Sequence, residues 1–267
     1  MTATETTWGS RVRPPAVAGI FYPGDATQLA ASVDALLQQA HAELNAGLRA
    51  LICPHAGYRY SGSVAACAFA QLREQGIQRV LLMGPSHRVA FRGVALAEAD
   101  AFETPLGRVQ LTDAPSLLSG DGPFIRSNAA HEQEHSLEVE LPFLQRVLTH
   151  FSLTPLVFGE VDERLVARAL GPWFTQDSLL LVSSDLSHYH AYERAVQQDR
   201  ATIDHILQLE PDALREDDAC GRGPVRTLLH LARANDWKPR LLKYENSGDT
   251  AGDKRRVVGY AAIGFYE

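Results

Sequence analysis

No stretch of the 267-residue chain approaches the roughly 20 consecutive apolar residues that a membrane span requires, and the opening "MTATETTWGSRVRPP" has no apolar leader core. Runs of like charge are missing as well: 25 Lys and Arg lie scattered among 32 Asp and Glu, for a net charge of −7. Phosphate neutralisation wants clustered cations, so neither nucleic acid nor a membrane is an expected partner. Cysteine is scarce. Cys53, Cys67 and Cys220 are odd in number and widely spaced, which suits reduced thiols in the cytoplasm better than a disulfide framework. The glycine signatures of nucleotide sites are absent, because "GRGPVRTLL" lacks the G-x-G-x-x-G order behind a strand and no P-loop occurs. "NSGDTAGDK" lacks EF-hand spacing, so Ser247, Asp249 and Asp253 read as turn residues. With no repeat, low-complexity tract or linker, the expectation is one domain over residues 16–267 behind a loose tail, 1–15.

What the chain does have is rhythm. Apolar runs rich in Val, Ile and Leu ("LRALICPH", "RVLLMGPSH", "LTPLVFGEV", "SLLLVSSDLSH") read as buried strands. Between them, "SGSVAACAFAQLREQG", "DERLVARALGPWF", "YERAVQQDRATIDHILQL" and "GPVRTLLHLARAND" have helical spacing. The pattern predicts an α/β domain with a mainly parallel central sheet flanked by helices. "GVALAEADAFETPLGRVQLT" reads as a hairpin turned at Pro105-Leu106-Gly107, and "RVVGYAAIGFYE" as a C-terminal strand, so the sheet is expected to be mixed.

Three of the strands end alike: in Pro54-His55, in Ser86-His87, and in Ser184-Asp185-Leu186-Ser187-His188. In open α/β sheets the loops beyond the carboxyl ends of the strands line the ligand crevice, so these residues are placed to converge. His55 and His87 are candidate metal ligands, since neutral imidazole is the commonest donor for Zn, Fe and Cu. Cys220 is the candidate third donor: it stands just before a helix, whose N-terminus favours the thiolate form that binds metal. Cys53 and Cys67 read as small buried thiols. Asp185 and His188 form a carboxylate–imidazole pair suited to acid–base catalysis or to further ligation. Tyr58 and Tyr60 are candidate pocket residues, able to hydrogen-bond a ligand or to pack with a buried hydroxyl partner.

"HEQEH", His131 to His135, matches the H-E-x-x-H pattern of zinc proteases. That chemistry needs both histidines on one face of an established helix, and here the regular spacing of Leu141, Leu144 and Leu148 begins only later. The protease reading is therefore set aside, with His135 and Glu138 kept as residues facing the crevice.

In order, "PAVAGIFYPGD", "CPHAGYRYSG", "LLMGPSHRV", "ETPLGRV", "EHSLEVELPFLQ", "SSDLSHY", "CGRGPV" and "GYAAIGFYE" resemble the motifs of the Memo family, whose bacterial and archaeal members are called AmmeMemoRadiSam system protein B. The resemblance runs from about residue 12 to the C-terminus. It implies a fold similar to class III extradiol dioxygenases and a mononuclear metal, Fe(II) with Cu or Zn as alternatives, held by His55, His87 and Cys220. Asp185 and His188 would lie nearby, and His188 looks like the histidine that handles substrate protons in the dioxygenases. An AMMECR1-like protein and a radical SAM enzyme are the implied partners. Two positions depart from the family pattern: Glu140 stands where an imidazole or amide is frequent, and Gly223 where a histidine is. The dioxygenases use a glutamate where this chain offers Cys220, so a redox or oxygen-related metal protein is the leading expectation. An extradiol dioxygenase and a metal-free module binding a peptide or small molecule are the rivals.

Overall fold

The computed structural model describes residues 11–41, 47–112, 114–118 and 122–267. In chain order the first half contains β1 (Val12–Arg13), α1 (Ala26–Gln39), β2 (Leu48–Cys53), α2 (Tyr58–Phe69), β3 (Arg79–Pro85), β4 (Val94–Leu96), β5 (Ala101–Thr104), β6 (Gly107–Gln110), β7 (Phe124–Arg126) and α3 (Asn128–Glu132). The second half contains α4 (Leu141–Val147), β8 (Ser152–Phe158), α5 (Glu163–Leu170), β9 (Ser178–Ser183), β10 (His188–His190), α6 (Tyr192–Leu207), α7 (Arg222–Ala234), β11 (Lys238–Asn246), α8 (Ser247–Thr250) and β12 (Val257–Tyr266). Among these helices none is long and apolar enough to cross a membrane.

The central sheet runs β10-β12-β2-β9-β3-β8-β4-β7, with β11 added on β12. β2, β9, β3 and β8 are parallel neighbours, whereas β12 pairs antiparallel with β2 and β4 antiparallel with β8. The sheet is mixed, as the sequence rhythm implies. Its central strands are continuous apolar runs because helices cover both faces. Alternate residues separate cleanly: Leu51, Cys53, Val80, Leu82, Leu179 and Leu181 pack with α1, α2 and α4, while Ala50, Ile52, Leu81, Met83, Leu180 and Val182 pack with α5, α6 and α7.

This order places the site. Since β2, β9 and β3 lie side by side and point the same way, the chain leaves all three at one edge of the sheet. Their next residues, Pro54-His55, Ser184-Asp185 and Ser86-His87, are therefore neighbours in space.

Two expectations are corrected. Residues 11–15 are no loose tail; residues 1–10 lie outside the described residues. Val12–Arg13 pairs with Ala101–Phe102, and the Arg13 side chain is buried. Its guanidinium meets Glu138 Oε2 at 2.6 Å, donates to the Glu134 and His131 carbonyls at 2.7 Å each, and lies over the Phe102 ring. The hairpin occupies only part of its expected stretch: β5 and β6 turn through Pro105-Leu106 into Gly107, whose φ of +112° favours glycine, but β4 belongs to the central sheet. The sequence reading also passed over α1 and β11. α1 is capped by Asp25 and buries Leu29, Val33 and Leu37, four residues apart. β11 is a half-exposed edge strand carrying Lys238, Arg240 and Lys243, and such charges both protect an edge and hide the apolar signal.

The Arg13–Glu138 pair is buried at both ends, so removing one partner strands the other. Arg13→Ala is expected to cost about 3–5 kcal/mol, read from the urea midpoint at pH 7; a change within experimental error would mean that the N-terminal strand does not brace this loop.

Candidate metal centre

His55 follows β2 directly. Its backbone N–H donates to Asp185 Oδ1 at 2.9 Å, and its ring Nδ1 lies 2.7 Å from Ser183 Oγ, on the strand registered beside it. The ring is buried, and burial, followed by the nearby His87 and His135, lowers its pKa well below the usual imidazole range. His55 is therefore neutral at pH 7, with Nε2 3.4 Å from Cys220 Sγ.

His87, after β3, is held by one carboxylate. Glu134 Oε2 accepts from its backbone N–H at 2.6 Å, and Oε1 lies 2.9 Å from ring Nδ1. Burial pushes the Glu134 pKa up, but the His87 contacts and the Ser136 N–H outweigh it and bring the pKa to about 2. Glu134 thus stays ionised and fixes the His87 ring.

Cys220 sits between Asp185 and the start of α7. Asp185 N–H points at its sulfur at 3.3 Å, and Gly221 N–H donates to Ser184 Oγ at 2.9 Å. A side chain at Gly221 would drive its Cβ to 2.6 Å from Ser184 Cβ, so only glycine allows this approach. The helix N-terminus was expected to favour thiolate. Instead burial and the Asp185 carboxylate push the thiol up to about 12, against the hydrogen bonds from Asp185 N–H, Ser184 and Gly221. Desolvation wins, and a cation at the sulfur would oppose it.

One donor atom each from His55, His87 and Cys220 lies within 4.8 Å of the others, and the same holds for His87, Glu134 and His135. The ring centroids of His55 and His87 are 5.2 Å apart, and His135 stacks on His87 at 4.6 Å. Burial chiefly lowers the His135 pKa, to about 4. The donors suit a transition metal: two imidazoles, each with Nδ1 engaged by a neighbour, and one thiol.

His188 begins β10, half-buried, and burial lowers its pKa. Asp185 is the brace between β2 and Cys220; burial raises its pKa to about 7 despite the His55 and Ala56 N–H groups. Among the described residues no hydrogen bond joins Asp185 to His188.

Glu138 does not face the crevice: its carboxylate is consumed by Arg13, Ala16 N, Val17 N and Tyr22 Oη. Tyr58 is also a core residue, donating to the Val139 carbonyl and packing on Tyr22 and Phe143. Tyr60 is exposed on α2 beside Arg59. His131 and His135 part company because α3 ends at Glu132: His131 turns inward to the Ala95 carbonyl at 3.0 Å, and His135 turns to the rings of His55 and His87. The protease arrangement is not built. Sequence reasoning missed Ser183 and Glu134. A polar residue closing a wholly apolar strand was the available sign for Ser183, whereas Glu134 was hidden inside the misleading pentapeptide.

A family model of Memo-like proteins matches residues 13–264. The chain belongs to the Memo family. Among curated relatives, a MEMO1 family protein of Ignicoccus hospitalis is 36% identical, aligned over 95% of this chain and 98% of its own. Another, of Sulfurisphaera tokodaii, is 33% identical, covering 95% and 99%. Among solved structures, an uncharacterized protein of Escherichia coli K12 shares the fold, with a TM-score of 0.51 at 11% identity over 81% of this chain and 99% of that one.

The inward histidine of this Memo protein generates a pH prediction. Burial depresses His131 from 6.5 to about 4. As pH falls from 6.5, the unfolded chain takes up a proton that the folded ring refuses, so stability declines until about pH 4 and then levels. His131→Gln, which keeps a donor to the Ala95 carbonyl, should remove roughly 3 kcal/mol of that decline. Denaturant titrations at pH 7 and pH 4 check this; an unchanged decline would mean that other groups govern it.

Proposed function

We propose that this Memo protein holds a single transition-metal ion through His55, His87 and Cys220 and uses it in redox or oxygen-dependent chemistry. The observation that carries the reading is the paired support of the imidazoles. Ser183 engages Nδ1 of His55 and Glu134 engages Nδ1 of His87, which leaves both Nε2 atoms for a ligand. Fe(II) is the cation proposed, with Cu or Zn as alternatives, since two imidazoles and a thiolate suit all three. Such an ion supplies Lewis acidity and, as iron or copper, one-electron chemistry. The chain supplies the rest: Glu134 and Ser183 orient the rings, Asp185 positions Cys220, and the uncharged His135 and His188 can accept a proton from a bound molecule.

The donor set favours this reading over an extradiol dioxygenase. That reaction is suited to a hard carboxylate beside two histidines, yet Glu134 accepts from the His87 and Ser136 N–H groups and Asp185 from the His55 N–H. The remaining donor is a soft, oxidisable thiol. By family, the proposed setting is the cytoplasm, alongside an AMMECR1-like protein and a radical SAM enzyme.

Elemental analysis of untagged protein purified without added metal should give close to one ion per chain. His55→Ala and Cys220→Ser should each drop that to below about a tenth while the chain stays folded, and His131→Gln should leave it unchanged. A wild-type chain that neither carries nor takes up metal would replace this reading with a recognition module whose histidines contact a peptide or small molecule.

A further inference from the structure

Ser183, the last residue of β9, has three close polar neighbours: the Ser136 carbonyl at 2.6 Å, His55 Nδ1 at 2.7 Å and Glu140 Oε1 at 2.9 Å. Three such contacts need three protons. A hydroxyl owns one proton and two lone pairs, and a carbonyl owns no proton at all. The Ser183 proton therefore goes to Ser136 O, and the other two protons must come from the remaining neighbours. We infer that Glu140 is a neutral carboxylic acid donating to Ser183, and that the chain Glu140–Ser183–His55 fixes the histidine with its proton on Nδ1 and its Nε2 lone pair free toward Cys220. The proton count stands on its own; the value of a free Nε2 rests on the metal reading above.

The surroundings of Glu140 agree. Its side chain has no solvent exposure, and among the described residues no cation pairs with it. A buried carboxylate without a cation is costly, and neutralisation is the ordinary escape. Burial raises its pKa to about 8 against the hydrogen bonds with Ser183 and Cys53, and the nearby Asp185 pushes in the same direction. The opposite assignment, an ionised Glu140, would pull the hydroxyl proton away from the Ser136 carbonyl and leave that buried acceptor without its donor at 2.6 Å. Glu140 is then a positioning residue: it touches no reacting atom and acts on His55 through Ser183.

Two measurements on the metal-free protein test the proton chain. Infrared spectra at pH 7 of protein labelled with 13C-glutamate should show a protonated-carboxyl band that Glu140→Gln removes; a difference containing only carboxylate bands overturns the inference. Should that variant fail to fold, nitrogen NMR of wild type labelled at histidine decides, with His55 expected as the Nδ1–H tautomer and an Nε2–H tautomer contradicting the chain. The positioning role is read from Co(II) affinity. Glu140→Gln keeps a neutral donor and should bind within a few-fold of wild type, whereas Glu140→Leu should lose roughly 10–100-fold; equal affinities would refute it. If wild type binds no Co(II), the metal reading fails while the infrared and nitrogen results still judge the proton chain.

Discussion

Glu138, a carboxylate with no route to solvent, organises the segment on which the candidate site depends. It gathers the Arg13 guanidinium, two backbone N–H groups and the Tyr22 hydroxyl, while Arg13 also holds the carbonyls of His131 and Glu134. A buried ion pair of this kind is not a large source of net stability, because desolvating both charges cancels most of their attraction. Its effect is conformational. With all four lone-pair sites of the Glu138 carboxylate engaged and Arg13 bonded to two carbonyls besides, the irregular chain from His131 to Glu140 is tied to the N-terminal strand. That arrangement presents Glu134 to His87, His135 to the histidine cluster, and Ser136 and Glu140 to Ser183. The N-terminal strand, far from the site in sequence, is thus part of what aims it.

Much of the fold was legible because parallel strands buried on both faces must be unbroken apolar runs, and β2, β3, β8 and β9 are such runs. Their ends betrayed the site for the same reason. A histidine or aspartate placed at the end of a run of buried strand residues stands out from an ordinary loop, and the strand order then makes His55, His87 and Asp185 neighbours. What stayed hidden obeys other physics. Glu138 and Tyr58 look like site residues in sequence, being polar and near the motifs, but the sequence does not show that Arg13 and the Val139 carbonyl consume them. α1 and β11 lie at the periphery, where a narrower apolar stripe or a charged edge suffices. The H-E-x-x-H pattern misled because it is defined by spacing, and spacing implies a shared face only while the helix continues; α3 stops after its fifth residue.

The electrostatics of the site explain why a thiol and not another carboxylate stands at position 220. Both nearby carboxylates already have structural tasks: Glu134 fixes His87, and Asp185 ties the β2 end to the Cys220 loop. With no cation present, burial keeps His55 neutral and holds the proton on Cys220. Ionised Glu134 is the charged group held against His87. A divalent ion bound with loss of the Cys220 proton would meet the thiolate beside two carboxyl groups: Glu134, ionised at pH 7, and Asp185, whose pKa of about 7 leaves it partly ionised. Glu140, inferred to be neutral, adds no further charge. A glutamate at position 220 would offer a harder donor with the same formal charge. The sulfur is the more polarizable donor, and burial keeps it protonated while no cation is present.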